Sequence, residues 1–414
     1  MKKCKFFICV MLATIMLFSV SAVGCSGKNI LHVYNCYDYI DEDLIDEFES
    51  YYKEKTGVSI KVEYECFDTP EDAYNSIKVN EGRYDVVCPS DYMIEKMARE
   101  GMLEEITLPN DGNYNTYVSP YIKDVFSNIS WEGGKSLSNY AAGYMWGTLG
   151  IVYNTAKVDS TEMTSWSSLW TTKHNFTVKN SVRDTYFIGL AKHYSTELEN
   201  AKTLSSEERQ SKLKALFNDT DEATVSAVKS ELKSLKSKAL GLEVDNGKDD
   251  IINGKSDVYF AWSGDAVYAM SEAEKSNVNL EYSVPEEGSN VWFDGWCIPK
   301  GSTKVAEAIE FIEFLSNPEN AIKNMDYIGY VSVIAGEKVF NYVKDNYEEE
   351  DGTLTNDLSY FFGTGDYVVK YSNKYGIFAA QYPNREVIDR CVVMSYFSSD
   401  ANERINNMWA EVIA

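Results

Sequence analysis

The sequence predicts an α/β fold of two lobes, each a mostly parallel sheet flanked by helices, and three observations predict it. Residues 31–101 alternate strand-like and helix-like periodicity in the order βαβαβα, which builds a parallel sheet. About 390 residues follow an N-terminal leader, more than one hydrophobic core usually serves. Two short pieces, Trp262-Ser263-Gly264-Asp265 and Trp292-Phe293-Asp294, each set an indole ahead of a carboxylate and directly follow a β-like apolar run. Open α/β sheets place their ligands at the carboxyl ends of strands.

Residues 1–24 read as a targeting segment. Lys2, Lys3 and Lys5 form a basic start, and Phe6 to Val20 is an apolar run too short for a lasting span. The segment closes on Ala22-Val23-Gly24-Cys25, which resembles a lipobox, with Ala22 where Leu is more usual. Acyl chains on Cys25 would anchor an exported protein to the outer face of the cell membrane or in the periplasm, with residues 25–30 as the linker. No later apolar run approaches the length of a membrane span.

Three lysines leave with the leader, which takes the formal charge from −25 to −28. That acidity argues against nucleic acid or an anionic membrane as a partner and is compatible with a cationic ligand. Beyond Cys4, Cys9 and Cys25, the cysteines are Cys36, Cys66, Cys88, Cys297 and Cys391. They show no CxxC or Cys/His spacing, so no metal or cofactor is expected and they read as small buried residues.

Leu31 to Tyr34 is a short strand, and Asp41 begins a helix with Leu44, Ile45, Phe48 and Tyr52 on one face, stopped at Gly57. Val58 to Phe67 alternates as a strand. Thr69-Pro70-Glu71-Asp72 opens a helix with Pro in its first turn. Tyr84 to Cys88 is the third strand, and Tyr92 to Glu100 the third helix. Glu197 to Phe217 and Glu222 to Leu240 are each helical by periodicity, with solvated lysine-bearing faces. From Gly301 a helix carries Val305, Ile309, Ile312 and Leu315 on one side, with Pro318 at its end. Trp146 and Trp166 read as core. The segment 346–380, with its acidic run Glu348 to Asp351, suggests no function by composition.

An indole ahead of a carboxylate is what an organic cation needs. The ring face attracts an ammonium and covers the methylenes behind it, while the carboxylate accepts its N–H bonds.

The motifs YNCYDY (34–39), DVVCPSDYMIEKM (85–97), GYMWGTLGIVYN (143–154), SWSSLW (165–170), WSGD (262–265), VPEEGSNVWFD (284–294) and IGYVS (328–332) occur in that order. Together they resemble the spermidine/putrescine-binding substrate-binding proteins of ABC transporters, over residues 30–340 and again at Tyr382-Pro383-Asn384. The resemblance implies a two-lobed, type II periplasmic-binding-protein-like fold hinged by crossover strands. Lobe 1 would comprise 31–150 and 291–345, and lobe 2 151–290 and 346–414. It also implies a monomer that closes on a polyamine and delivers it to a membrane permease driven by a cytoplasmic ATPase.

Carried over by position, the resemblance puts aromatic walls at Tyr39, Tyr92, Trp262, Trp292 and Tyr330, and a polar side-wall residue at Ser90. It puts ammonium-binding carboxylates at Asp38, Asp184, Asp265 and Asp294, where the second position is more usually Glu. Three positions depart from the pattern. Cys36 stands where the family has Trp, Ser181 where some spermidine-preferring members have Asp, and Met394 where an ungapped run from Tyr382 places the family's Gln. Fewer polar contacts for a further nitrogen favour putrescine over spermidine.

His32, His174 and His193 form no HExxH and accompany no nucleophile elbow, so zinc and acyl-transfer chemistry lack a constellation. Asp265 and Asp294 with their tryptophans also fit a carboxylate-pair glycosidase cleft, and a protein of the same fold could take another organic cation such as thiamine. Indoles beside the carboxylates argue against a bare metal, and four carboxylates against a sugar. The sequence therefore reads as a binding protein rather than an enzyme.

Overall fold

The structure, a computed structural model, describes residues 29–244 and 246–414. The leader and Cys25 lie outside the described residues. No described helix is long and apolar enough to cross a membrane.

The opening elements follow their sequence signals. Strand Ile30–Cys36 leads to helix Asp43–Thr56, which buries Leu44, Ile45, Phe48 and Tyr52 and ends where Gly57 takes φ 74°. After strand Lys61–Phe67, Thr69 caps helix Pro70–Val79 by accepting from the Asp72 amide, with Pro70 at its first position. The short strand Val86–Val87 and helix Asp91–Arg99 complete the series.

These three strands are parallel, in the order Lys61–Phe67, Ile30–Cys36, Val86–Val87. The sheet continues through two long strands that run antiparallel to each other. Ala141–Asn154 crosses outward, buried along its whole length, and Ser289–Cys297 returns. The far half of the outgoing strand pairs with Val258–Trp262, which continues in parallel to Phe176–Lys179 and then Leu242–Glu243. One sheet path thus carries two parallel halves joined by a pair of crossing strands.

Three expectations are corrected. The stretch 197–217 is two helices, Ser195–Ala201 and Ser206–Phe217, because Ser205 and Glu208 form a reciprocal capping box that starts the second one afresh. Helix Val305–Leu315 leaves Val305 exposed and buries Ala308, Phe311 and Ile312, so its inner face is rotated from the one read off the sequence. Pro318 does not end that helix. It opens the next, Pro318–Ile328, behind the Asn317 cap.

Trp146 and Trp166 are fully buried, as read. The five cysteines of the described residues are free thiols; Cys88, Cys297 and Cys391 are buried, and Cys36 and Cys66 half-buried. Residues 346–414 divide between two hydrophobic clusters instead of packing with the second half throughout. Leu358, Phe361, Tyr371 and Phe378 join the larger cluster, which holds the first half together with Tyr259, Met270 and Tyr282, whereas Met394, Phe397 and Trp409 pack with Trp166, Phe187 and Phe217. The reason is local: the hairpin Leu354–Asp357/Val368–Tyr371 carries helix Ser359–Phe362 onto Pro120–Asn128, where the Ser119 hydroxyl donates to the Phe361 carbonyl at 2.6 Å.

Candidate functional site

Two sets of three parallel strands deliver their carboxyl ends to one cavity of about 800 Å³. From the first half come Tyr37–Tyr39, Asp68–Glu71 and Ser90–Tyr92; from the second come Lys179–Asp184, Glu243–Val244 and Trp262 with Asp265. The return strand between the halves adds Asn290, Trp292 and Asp294, alternate residues that share one face. Trp292 and Asp294 therefore lie inside a strand, which corrects the sequence expectation that they follow the end of one. Asp265 lies in the first turn of helix Ser263–Glu274, directly after strand Val258–Trp262.

All ten residues singled out from sequence line this cavity: Asp38, Tyr39, Ser90, Tyr92, Asp184, Trp262, Asp265, Trp292, Asp294 and Tyr330. They are not equivalent. Asp38 sits at the rim with φ 50°, its side chain 83 % exposed and 3.9 Å from the Lys248 ammonium. The other three carboxylates are buried.

A connected wall joins these three. The Tyr39 hydroxyl donates to Asp294 Oδ2 at 2.6 Å, and its ring meets Tyr330 edge-on at 5.0 Å. Tyr330 packs against Trp292 at 5.7 Å and donates to Asp265 Oδ1 at 2.9 Å. Asp265 Oδ2 faces the Lys179 ammonium, which lies under the Trp262 ring. The Trp262 indole N–H reaches Asp184 Oδ2 at 3.2 Å, where the Ser181 hydroxyl also donates at 2.7 Å. Close approach makes one glycine obligatory: a Cβ on Gly264 would coincide with the Tyr330 ring.

Burial and charge set the ionisation of this wall. Burial raises the Asp294 pKa to about 6; the hydrogen bonds from Tyr39 and Ser90 oppose the rise and the Asp184 charge adds to it. Burial likewise raises Asp184, against the Ser181 hydrogen bond and the Lys179 charge. Asp265 goes the other way: burial would raise it, but Lys179 and Lys248 hold it below the usual carboxylate range. On the return strand, Asn290 Oδ1, Trp292 Nε1 and Asp294 Oδ1 are buried with no hydrogen-bond partner among the described residues. Such groups are costly unless something binds them.

Sequence reasoning missed the cations of the site. Lys179 is fully buried, and Arg183 lies between the Tyr92 and Phe397 rings, 4.3 Å and 3.7 Å from their centres. Both were legible in principle, because Lys179 ends a strand and Arg183 opens the helix after it, the positions from which such folds face ligands. Glu71, which the sequence marks only as part of a helix start, accepts from the Tyr92 hydroxyl at 3.2 Å. Cys36, Ser181 and Met394 also line the cavity. Among the described residues the lining holds nine Asp or Glu (38, 68, 71, 91, 184, 243, 249, 265, 294) against Lys179, Arg183 and Lys248, so acid is in excess. Among the described residues no group of three or more His, Cys, Asp or Glu is placed to hold a metal ion.

Residues 43–346 match the family model of bacterial extracellular solute-binding proteins. The chain is 26% identical over 314 residues to the spermidine/putrescine-binding periplasmic protein of Salmonella typhimurium, covering 75% of this chain and 79% of that one. It is 29% identical over 341 residues to a putrescine-binding periplasmic protein of Pseudomonas aeruginosa, covering 77% and 83%. Among solved structures, a spermidine/putrescine ABC transporter protein from Listeria monocytogenes superposes with a TM-score of 0.69 at 26% identity, covering 93% of this chain and 99% of that chain. The architecture is that of the type II periplasmic binding proteins. With well over half of its length matched by the family model, the chain belongs to the bacterial extracellular solute-binding proteins.

Proposed function

We propose that this protein captures a polyamine, putrescine or spermidine, outside the cytoplasm and delivers it to an ABC permease driven by a cytoplasmic ATPase. The observation that carries the reading is Asp294: a buried carboxylate with one unpartnered oxygen, beside an indole, in a cavity with an excess of acids. A ligand ammonium supplies what that oxygen lacks, and the Trp292 and Tyr330 rings cover the methylenes next to it. The names of the relatives support the same ligand class.

In this reading 31–150 with 291–345 form one lobe and 151–290, with the part of 346–414 that packs against it, the other, and the crossing strands are the hinge. Contacts made only in the closed form shift the hinge equilibrium toward it, and the permease recognises the closed form. The protein acts as a monomer, anchored by lipid on Cys25, and binds no nucleic acid. It performs no covalent chemistry; Asp265, which a carboxylate-pair glycosidase would need, is engaged by Lys179, Tyr259 and Tyr330.

Titration calorimetry of the purified protein with putrescine, spermidine and maltose tests this. Saturable binding of an amine and none of the sugar is expected. Binding of the sugar, or of neither amine, overturns the reading.

A further inference from the structure

The cavity contains an ammonium of its own. Lys179, at the end of strand Phe176–Lys179, is 0 % exposed. Its Nζ lies 2.7 Å from the Tyr259 hydroxyl, 3.2 Å from the Val244 carbonyl and 3.3 Å from Asp265 Oδ2, so each of its three N–H groups has an acceptor. It also lies 3.9 Å from the centre of the Trp262 ring, and Glu243 is 3.8 Å away. A carboxylate, an indole face and two further oxygens are the partners that a primary ammonium of a ligand would require.

We infer that Lys179 is a specificity-determining residue that permanently fills this cation subsite, leaving the cavity to short diamines and excluding the additional ammonium of longer polyamines. The inference rests on the polyamine reading and deepens it. The two Trp-Asp pieces of the sequence then have different duties. Asp294 keeps an oxygen without a partner among the described residues and receives the ligand. Asp265 is bonded by Lys179, Tyr259 and Tyr330 and serves the resident cation. Charge and space agree. An ammonium entering beside Lys179 would meet a like charge within a dehydrated pocket, and the lysine's methylenes occupy the volume where another arm of ligand would lie. Asp184 remains for the second nitrogen of a diamine, because its carboxylate is buried, faces the same cavity and acts electrostatically on Asp294.

The test compares putrescine, spermidine and spermine by calorimetry on the native protein and on Lys179→Met, a near-isosteric change that removes the charge. The native protein is expected to bind putrescine at least as well as spermidine, and spermine more weakly. In Lys179→Met, with folding checked by circular dichroism, the spermidine-to-putrescine affinity ratio should rise at least tenfold as Asp265 becomes available. The double variant Lys179→Met/Asp265→Asn should lose that gain. An unshifted ratio in folded Lys179→Met overturns the role of Lys179 while leaving the polyamine reading standing. If the variant does not fold, the native series still decides, since a tenfold native preference for spermidine overturns the inference. A native protein that binds none of the three amines overturns the polyamine reading and, with it, this inference.

Discussion

The Tyr39 hydroxyl donates to Asp294 Oδ2 at 2.6 Å and leaves Oδ1 of the same carboxylate without a partner. One oxygen is used to aim the group, and the other is buried with its lone pairs unused. This asymmetry is costly in the empty protein, because a buried carboxylate with half of its acceptors unused is poorly solvated.

Asp294→Asn should therefore separate binding from stability. It removes the charge partner of a ligand ammonium, a loss of about 2–5 kcal/mol in affinity. Holding the carboxylate ionised at pH 7 with its pKa near 6 costs the unliganded fold on the order of 3 kcal/mol, so the variant should melt at the native temperature or a few degrees above it. Calorimetric affinity and unliganded Tm check both. Unchanged affinity, or affinity lost only through unfolding, would show that the carboxylate is structural.

Affinity for an amine should depend on pH through the same group. Above about pH 6 Asp294 is already ionised and binding needs no proton release; below it the ligand must displace a proton. Affinity should then fall with falling pH by up to about tenfold per unit for this one carboxylate. The unliganded fold moves oppositely, since a folded-state pKa above the unfolded one favours the native protein at low pH and that contribution is lost as pH rises through 6. Affinity flat between pH 7 and 5 in the native protein would contradict this account.

Gly264→Ala should weaken binding without touching any polar group. Its Cβ would coincide with the Tyr330 ring, which must swing away from Asp265 and from the aromatic wall it shares with Tyr39 and Trp292. A loss of about tenfold or more is expected, alongside a milder loss for Trp292→Leu, where a cation–π contact of about 0.5–2 kcal/mol disappears. Replacing one acid of the exposed run Glu348 to Asp351 should leave affinity unchanged.

Cys25→Ala should yield an exported chain without lipid. Incorporation of labelled fatty acid into the native chain and none into the variant is the expected outcome; label on the variant, or on neither, would refute acylation at Cys25.

Local signals in the sequence determined the first half of the fold. A stripe at helical spacing (Leu44, Ile45, Phe48, Tyr52), a capped start at Thr69-Pro70 and a glycine stop at Gly57 depend on neighbours within a few turns, so they are legible without tertiary context. Nine of the ten candidate site residues, all but Asp184, fall in the ordered motifs, and all ten line one cavity. What only the tertiary structure decided is which charges face each other. Asp265 and Asp294 look alike in sequence, an indole followed by a carboxylate, yet one is met by Lys179 from a strand 86 positions away in the chain and the other by Tyr39 from 255 positions away. The physical reason is that pairing energies in a dehydrated site depend on distances of a few ångströms between segments remote in sequence, and no local periodicity encodes them.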